Sequence, residues 1–273
     1  MKAVFVLLAA LAALVATALP VAGRPACGIR PVTIGVNVQG EPNFDQVRAA
    51  RSGWVRLNLR WSEVNPAPGV WRFERIDRQV RQARERDLEI LALLAHAPEW
   101  LGGGRNGTTP PAEVARWTEF VRRTAERYRG RIAAYEIWNE PDFRNEGDGI
   151  GWDRDIAEAP RYVDYLRAAA TTIRQAAPGT RVVGPALSSG LSDRKLALLD
   201  QLERTRFPDG SRPADHLDAV SLHQNIQGTD GSGPWLVRLL ANGLYPLESR
   251  APSLAGKLLW VTEFGWQSTL VGE

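Results

Sequence analysis

The chain has 273 residues, 44% hydrophobic and 24% charged, with a net charge of +3 at pH 7. This is an ordinary globular balance, and the length suits one large α/β domain or two small ones. Nearly all of the basic residues are arginine, with lysine only at Lys2, Lys195 and Lys257. The arginines alternate with glutamates in stretches such as RFERIDRQVRQARERDLE (72–89). That is the pattern of a solvated helix face, so nucleic acid is not expected as a partner.

At the N-terminus Lys2 precedes the apolar run AVFVLLAALAALVATAL, followed by PVAG. A short positive region, an apolar stretch and small residues at a cleavage site predict a signal peptide over residues 1–23. The mature catalytic domain then spans 24–273, secreted or periplasmic, with no stable membrane insertion after cleavage. A retained anchor is the alternative, because the run approaches spanning length. Cys27 is the single cysteine, so no intrachain disulfide can form and stability must come from the core.

Short apolar segments then alternate with helical patterns. The predicted strands are 32–38, 54–61, 89–96, 132–140, 181–188, 217–223 and 257–264. EILALLAH (89–96) is a near-continuous apolar run, which suits a parallel strand buried on both faces. Between strands, Phe73, Ile76, Val80 and Ala83 recur at helical spacing. So do Val114, Trp117, Val121 and Tyr128, and later Tyr162, Leu166, Ala169 and Ile173. The prolines of TPPAEV (109–114) fall where a helix begins and Gly130 where it ends. Seven such units predict a (β/α)₈ TIM barrel. Only nine residues, GWQSTLVGE, follow the seventh strand, so the barrel is expected to be truncated there, incomplete at its C-terminus, with strands one and seven presenting unpaired edges.

In such barrels chemistry gathers at the C-terminal ends of the strands, and the polar groups here fall at those ends. Strand two carries Arg56, Asn58 and Arg60 on one face. Strand three ends in His96, strand four in Asn139 and Glu140, strand six in His223 and strand seven in Glu263. Two carboxylates flanking a polar cleft are the machinery of glycosidic bond cleavage: one protonates the leaving oxygen and the other attacks or activates water. Trp61, Trp100, Trp138 and Trp266 lie at or just past strand ends, where an indole either stacks on a sugar ring or packs in the core. Three histidines and one cysteine offer no metal-ligand cluster, GGGRNG (102–107) does not match a phosphate loop, and no cofactor is expected.

EIWNEP with WVTEFGW resembles the retaining glycoside hydrolases of clan A. VRLNLRWSEVNPAPGVWRFERID followed by LALLAHAPEW is similar to family 39, and family 5 is more distant. The resemblance covers about residues 32–266. It implies that Glu140 is the acid/base, Glu263 the nucleophile and Asn139 the contact to the sugar hydroxyl beside the reacting carbon. Arg56 matches the arginine that holds the nucleophile ionised, since a nearby cation favours the charged carboxylate. His96, His223 and Trp266 match positions lining the cleft. Such families often carry His-x-Tyr after strand six, whereas this chain has Asn225 in place of the tyrosine, which leaves open what supports Glu263. Adjacent residues of a regular strand face opposite ways, so Asn139 and Glu140 can both reach one sugar only from an irregular strand end. The expected partner is an oligo- or polysaccharide, and the expected function is that of a secreted β-glycosidase. The alternatives are a catalytically weak carbohydrate-binding barrel, a fragment of a longer glycosidase, or another barrel chemistry, the last opposed by the lack of a strand-end lysine.

Overall fold

The computed structural model describes residues 35–38, 40–102, 111, 113–143, 162–226, 240–254 and 256–266, with backbone alone at 225, 226, 240, 265 and 266. The chain divides into Met1–Thr33 and Ile34–Glu273, and every described residue belongs to the second unit. The segment predicted as a signal peptide lies outside the described residues. Among the described residues, no helix is long and apolar enough to cross a membrane.

Seven parallel strands form one sheet in sequence order: β1 (Gly35–Asn37), β2 (Trp54–Arg60), β3 (Glu89–Ala95), β4 (Ala134–Ile137), β5 (Arg181–Leu187), β6 (Ala219–Ile226) and β7 (Leu258–Trp266). Each pairs with its sequence neighbour, which right-handed helical crossovers produce. The result is a nearly closed (β/α) barrel without an eighth unit among the described residues, and no pairing of β1 with β7 is seen there. On β7, Leu258, Leu259, Val261 and Phe264 are exposed.

The principal helices are α1 (Phe44–Ala49), α2 (Trp61–Val64), α3 (Glu74–Arg84), α4 (Val114–Arg127), α5 (Tyr162–Ala176), α6 (Asp193–Arg204) and α7 (Tyr245–Arg250). Most of the apolar positions read from sequence are buried in the core, namely Ile76, Val80 and Ala83 of α3, Trp117 and Val121 of α4, and Tyr162, Leu166, Ala169 and Ile173 of α5, while Phe73 and Val114 are partly buried against it. From β2, Val55, Leu57 and Leu59 join this same outer core. Inside the sheet a smaller cluster of Leu91, Ala134, Val183 and Ala219, flanked by Trp54 and Trp260, fills the floor of the barrel. The rings of Trp54 on β2 and Trp260 on β7 meet edge to face at 5.2 Å. With the floor filled by side chains, the polar groups that face the interior, from Arg56 in the middle of β2 onward, lie above it toward the C-terminal ends of the strands.

One close approach ties α5 to the sheet beneath the site. The buried Tyr162 hydroxyl donates to the carbonyl of Ile137 at the end of β4 (3.0 Å). A Cβ at Gly184 would stand 2.7 Å from that hydroxyl. Gly184→Ala must therefore displace Tyr162 or shift β5, losing the hydrogen bond and overpacking the core. Urea unfolding should show a loss of about 1–3 kcal/mol. An unchanged midpoint would show that this contact does not constrain the strand.

Candidate active site

The site is assembled by the polar positions of β2, β4, β6 and β7. Arg56 enters the barrel from the middle of β2 and is only 6% exposed. Its Nε donates to Glu136 Oε2 (2.7 Å), its Nη1 to Glu263 Oε1 (2.6 Å) and its Nη2 to Asn139 Oδ1 (3.1 Å). The planar guanidinium suits this task because its donors point in fixed directions to several acceptors at once. Glu136 is fully buried and also accepts from the Thr262 hydroxyl (2.7 Å).

Burial opposes the charge on Arg56, yet Glu136 and Glu263 outweigh it and raise its pKa. Burial likewise opposes the Glu136 carboxylate, and Arg56, with help from His223, Thr262 and Ser221, holds it below the usual carboxylate range.

Glu140 and Glu263 come together around His223. The His223 Nδ1 lies 2.7 Å from Glu140 Oε1 and 3.6 Å from Glu263 Oε2. One ligand-type atom from each of the three residues falls within 4.8 Å of the other two. These are groups that a metal ion could also use, but Arg56 already places a cation on Glu263, supplying the positive charge that a metal would bring. His223 itself is buried. With Nδ1–H donating to Glu140, its Nε2 has no partner among the described residues.

Two local distortions aim the carboxylates. At the end of β4, Trp138 (φ +66°) and Glu140 (φ +44°) adopt backbone angles that non-glycine residues seldom take. Trp138 N–H still bonds Leu94 on β3 (2.9 Å), while Glu140 N–H bonds Ala186 on β5 (3.1 Å). Asn139 and Glu140 thereby both reach the barrel mouth, as the irregular strand end predicted. On β7 the register shifts between Leu222 and His223 of its partner β6. The extra residue is the reason that neighbours Thr262 and Glu263 both turn inward, one to Glu136 and the other to Arg56. Such a bulge re-aims a side chain without breaking the strand.

The structure thus brings Arg56, Asn139, Glu140, His223 and Glu263 into one contact network. His96, also at positive φ (+63°), sits partly buried at the tip of β3, and its carbonyl accepts from Ser62 N–H (2.8 Å). The Trp266 and Asn225 side chains lie outside the described residues. Of the other strand-end tryptophans, Trp61 and Trp138 are core residues: Trp61 stacks on Phe120 (5.3 Å), and Trp138 meets Trp117 and Tyr165 edge-on. Trp100 is partly buried and its indole donates to Asn65 O (2.9 Å). Arg60 is exposed and lies 3.9 Å from Glu63, away from the network.

Sequence reasoning missed Glu136, although a charge inside the apolar run AAYEIW was the available signal. It also missed Thr262 and the buried Asp142, Ser188 and Lys195. Without the expected tyrosine, Arg56 and His223 are the described groups that face Glu263.

A (β/α) barrel with one glutamate just past the end of β4 and another in the C-terminal half of β7 is the arrangement of the clan A type of glycoside hydrolase. A profile of the glycosyl hydrolases family 39 matches residues 37–237, and the chain belongs to that family. No curated protein matches it in sequence. Among solved structures it is similar to a glucosidase from Croceicoccus marinus (16% identity, TM-score 0.61, covering 88% of this chain and 53% of that one). It is also similar to an exo-β-1,4-mannosidase from Opitutaceae bacterium strain TAV5 (15% identity, TM-score 0.59, 89% and 47%). A third is a bacterial orthologue of human α-L-iduronidase (19% identity, TM-score 0.60, 85% and 41%). The chain spans about half the length of these proteins. At such identities they establish the fold.

The depressed pKa of Glu136 links the site to stability. Its ionised form contributes fully above its ordinary value of 4.5, and the contribution is lost as pH falls through the lower folded value. Glu136→Gln should cost about 3 kcal/mol at pH 7, because it leaves part of a buried cation unpaired. It should also flatten the loss of stability below pH 4.5 relative to wild type. Urea melts between pH 3 and pH 7 measure both, and parallel curves would assign the acid sensitivity to another group.

Proposed function

We propose that the chain is a retaining β-glycosidase that hydrolyses O-glycosidic bonds of an oligo- or polysaccharide, with Glu140 as acid/base and Glu263 as nucleophile. The observation that carries this is the convergence of Glu140, Glu263 and His223 within 4.8 Å. Retaining pairs stand about 5–5.5 Å apart, whereas inverting pairs leave about 6.5–9.5 Å for a water. The activities of the solved neighbours, a glucosidase and an exo-β-1,4-mannosidase, support the reading at the level of class.

The geometry divides the labour. Arg56 occupies Glu263 Oε1, which leaves Oε2 to attack the anomeric carbon. The glycosidic bond breaks with its electron pair passing to the leaving oxygen, and that oxygen takes the proton of Glu140. Because Glu140 Oε1 is bonded to His223, the acid proton is carried on Oε2. In the second step the Glu140 carboxylate takes a proton from water, and the oxygen of that water attacks the anomeric carbon. Glu263 departs as the carboxylate that Arg56 stabilises. Asn139, its oxygen held by Arg56, has its NH₂ to offer to the sugar hydroxyl next to the reacting carbon, a contact that strengthens in the transition state.

We further propose that residues 1–23 are removed on export, so that the mature protein begins near Arg24 outside the cytoplasm. The support is the charged, apolar and small-residue order of that segment. Intact-mass measurement of the exported protein tests it, and a full-length mass in the membrane fraction would favour an anchor.

Proton NMR of the first product should show the β anomer of a β-glycoside substrate, while an α product means inversion and overturns the assignment. Glu263→Ala should remove turnover of every substrate. Glu140→Ala should keep most of kcat/KM on activated aryl glycosides, which reports the first step alone, and lose about 10²–10⁴-fold in kcat/KM on poor leaving groups, which need protonation. Equal losses on both kinds of substrate would refute the division of roles.

A further inference from the structure

Three buried polar side chains beside the acid/base take no part in the chemistry above. Asp142 and Lys195 are 3% and 1% exposed, and Ser188 is buried between them. Asp142 follows Glu140 by two residues at the turn after β4, Ser188 directly follows β5, and Lys195 lies in the first turn of α6. Ser188 donates its N–H to Asp142 Oδ1 (2.9 Å) and its hydroxyl to Oδ2 (2.6 Å). Lys195 Nζ donates to the carbonyl of Ser188 and to that of Asn242 (3.1 Å), in the π-turn Leu240–Leu244. One serine is thus held from both sides, and Lys195 ties a fourth chain segment to the group.

The placement matters because the sheet gives out there. β4 and β5 pair only as far as Glu136 and Val183, and β5 is irregular between Gly184 and Leu187. Beyond that point two links join the strands: Glu140 N–H to Ala186 O (3.1 Å), and then Asp142 to Ser188. Glu140 makes the first of these links itself, in its strained left-handed conformation (φ +44°), and the second lies two residues beyond it. Burial drives the Asp142 pKa up, opposed first by the hydrogen bonds from Ser188 and then by Lys195, and drives the Lys195 pKa down, opposed by Asp142 and Glu140. An apolar pair would fill the same space without that penalty. What the charged groups add is directional hydrogen bonding at fixed points.

We propose that Asp142, Ser188 and Lys195 form a clamp of positioning residues that fixes the acid/base Glu140, and with it the protonation of the leaving group. This rests on the retaining-glycosidase reading. Glu263 is held from β2 and β6 by Arg56 and His223, whose hydrogen bonds and ion pairs among the described residues go to Glu136, Asn139, Glu140 and Glu263 and not to the clamp. Loosening the clamp therefore impairs proton donation and spares nucleophilic attack.

The test compares kcat/KM for a 2,4-dinitrophenyl β-glycoside, whose phenolate leaves without protonation, with that for the phenyl β-glycoside of the same sugar. Asp142→Ala and Lys195→Met should lose about 10- to 100-fold on the phenyl substrate, the scale of a small misplacement of a catalytic group. On the dinitrophenyl substrate they should lose less than about threefold, within the modest range expected when the attacking group stays in place. Ser188→Ala removes a single hydroxyl bond and should show the same selectivity on a smaller scale, and it carries the test if the other two variants do not fold. Equal losses on both substrates, or no loss on either, overturn the clamp. Glu140→Ala is the control. If wild type turns over both substrates and Glu140→Ala is selective while the clamp variants are not, only the clamp fails. If wild type is inactive or Glu140→Ala is unselective, the glycosidase reading itself fails and takes the clamp with it.

Discussion

A guanidinium inside a barrel needs acceptors to stay buried, and Arg56 finds three of them at two other strands. Its three bonds go to Glu136 and Asn139 at β4 and to Glu263 on β7. These fix the separation of β2, β4 and β7 across the interior more tightly than apolar packing could, because removing any acceptor strands part of a buried charge. The same bonds place a positive charge against the nucleophile. The fold and the chemistry therefore depend on one side chain, and Glu136 is what keeps that side chain buried and pointed.

Around this centre, regular strand geometry is given up at two places. Positive φ at Trp138 and Glu140 and the bulge on β7 each turn a residue that alternation would send elsewhere. Such distortions are unfavourable by themselves and persist only where neighbours over-determine them. Here those neighbours are identifiable. Leu94 and Ala186 accept the displaced backbone N–H groups, Trp138 is locked among Trp117 and Tyr165, and Thr262 is bonded to Glu136. The tryptophan beside the acid/base is thus an anchor for the strand end, with its ring turned into the helix layer.

His223 joins the two halves of the site. It is buried, lies within bonding distance of Glu140 and faces Glu263. Its Nδ1 meets the Glu140 carboxylate and stands 3.6 Å from that of Glu263, so one ring fixes the two acids relative to each other. In that position it restricts Glu140 directly, whereas Asp142, Ser188 and Lys195 restrict the backbone that carries it. Acid/base and nucleophile are consequently supported by separate sets of contacts, meeting at one ring.

The sequence by itself determined the order of strands and helices, their parallel arrangement, and which strand tips carry the polar groups. Those features follow from local periodicity and from the position of a residue within its own strand, as with the continuous apolar run of β3 and the stripe Trp117–Val121 of α4. It also required an irregular end to β4, since Asn139 and Glu140 could not otherwise serve one cleft. It could not decide whether the indoles of Trp61 and Trp138 face sugar or core. The answer depends on Phe120, Trp117 and Tyr165, which reach them from other elements. Nor did it reveal Glu136, the β7 bulge at Thr262, or the pairing of Asp142 with Ser188 and Lys195. Glu136 meets Arg56 80 positions away and Thr262 126 positions away, Asp142 meets Ser188 46 positions away, and the bulge depends on a register between two strands. A chain pattern of period 2 or 3.6 carries no information about which distant partner satisfies a buried charge, and only the closed packing of the barrel supplies it.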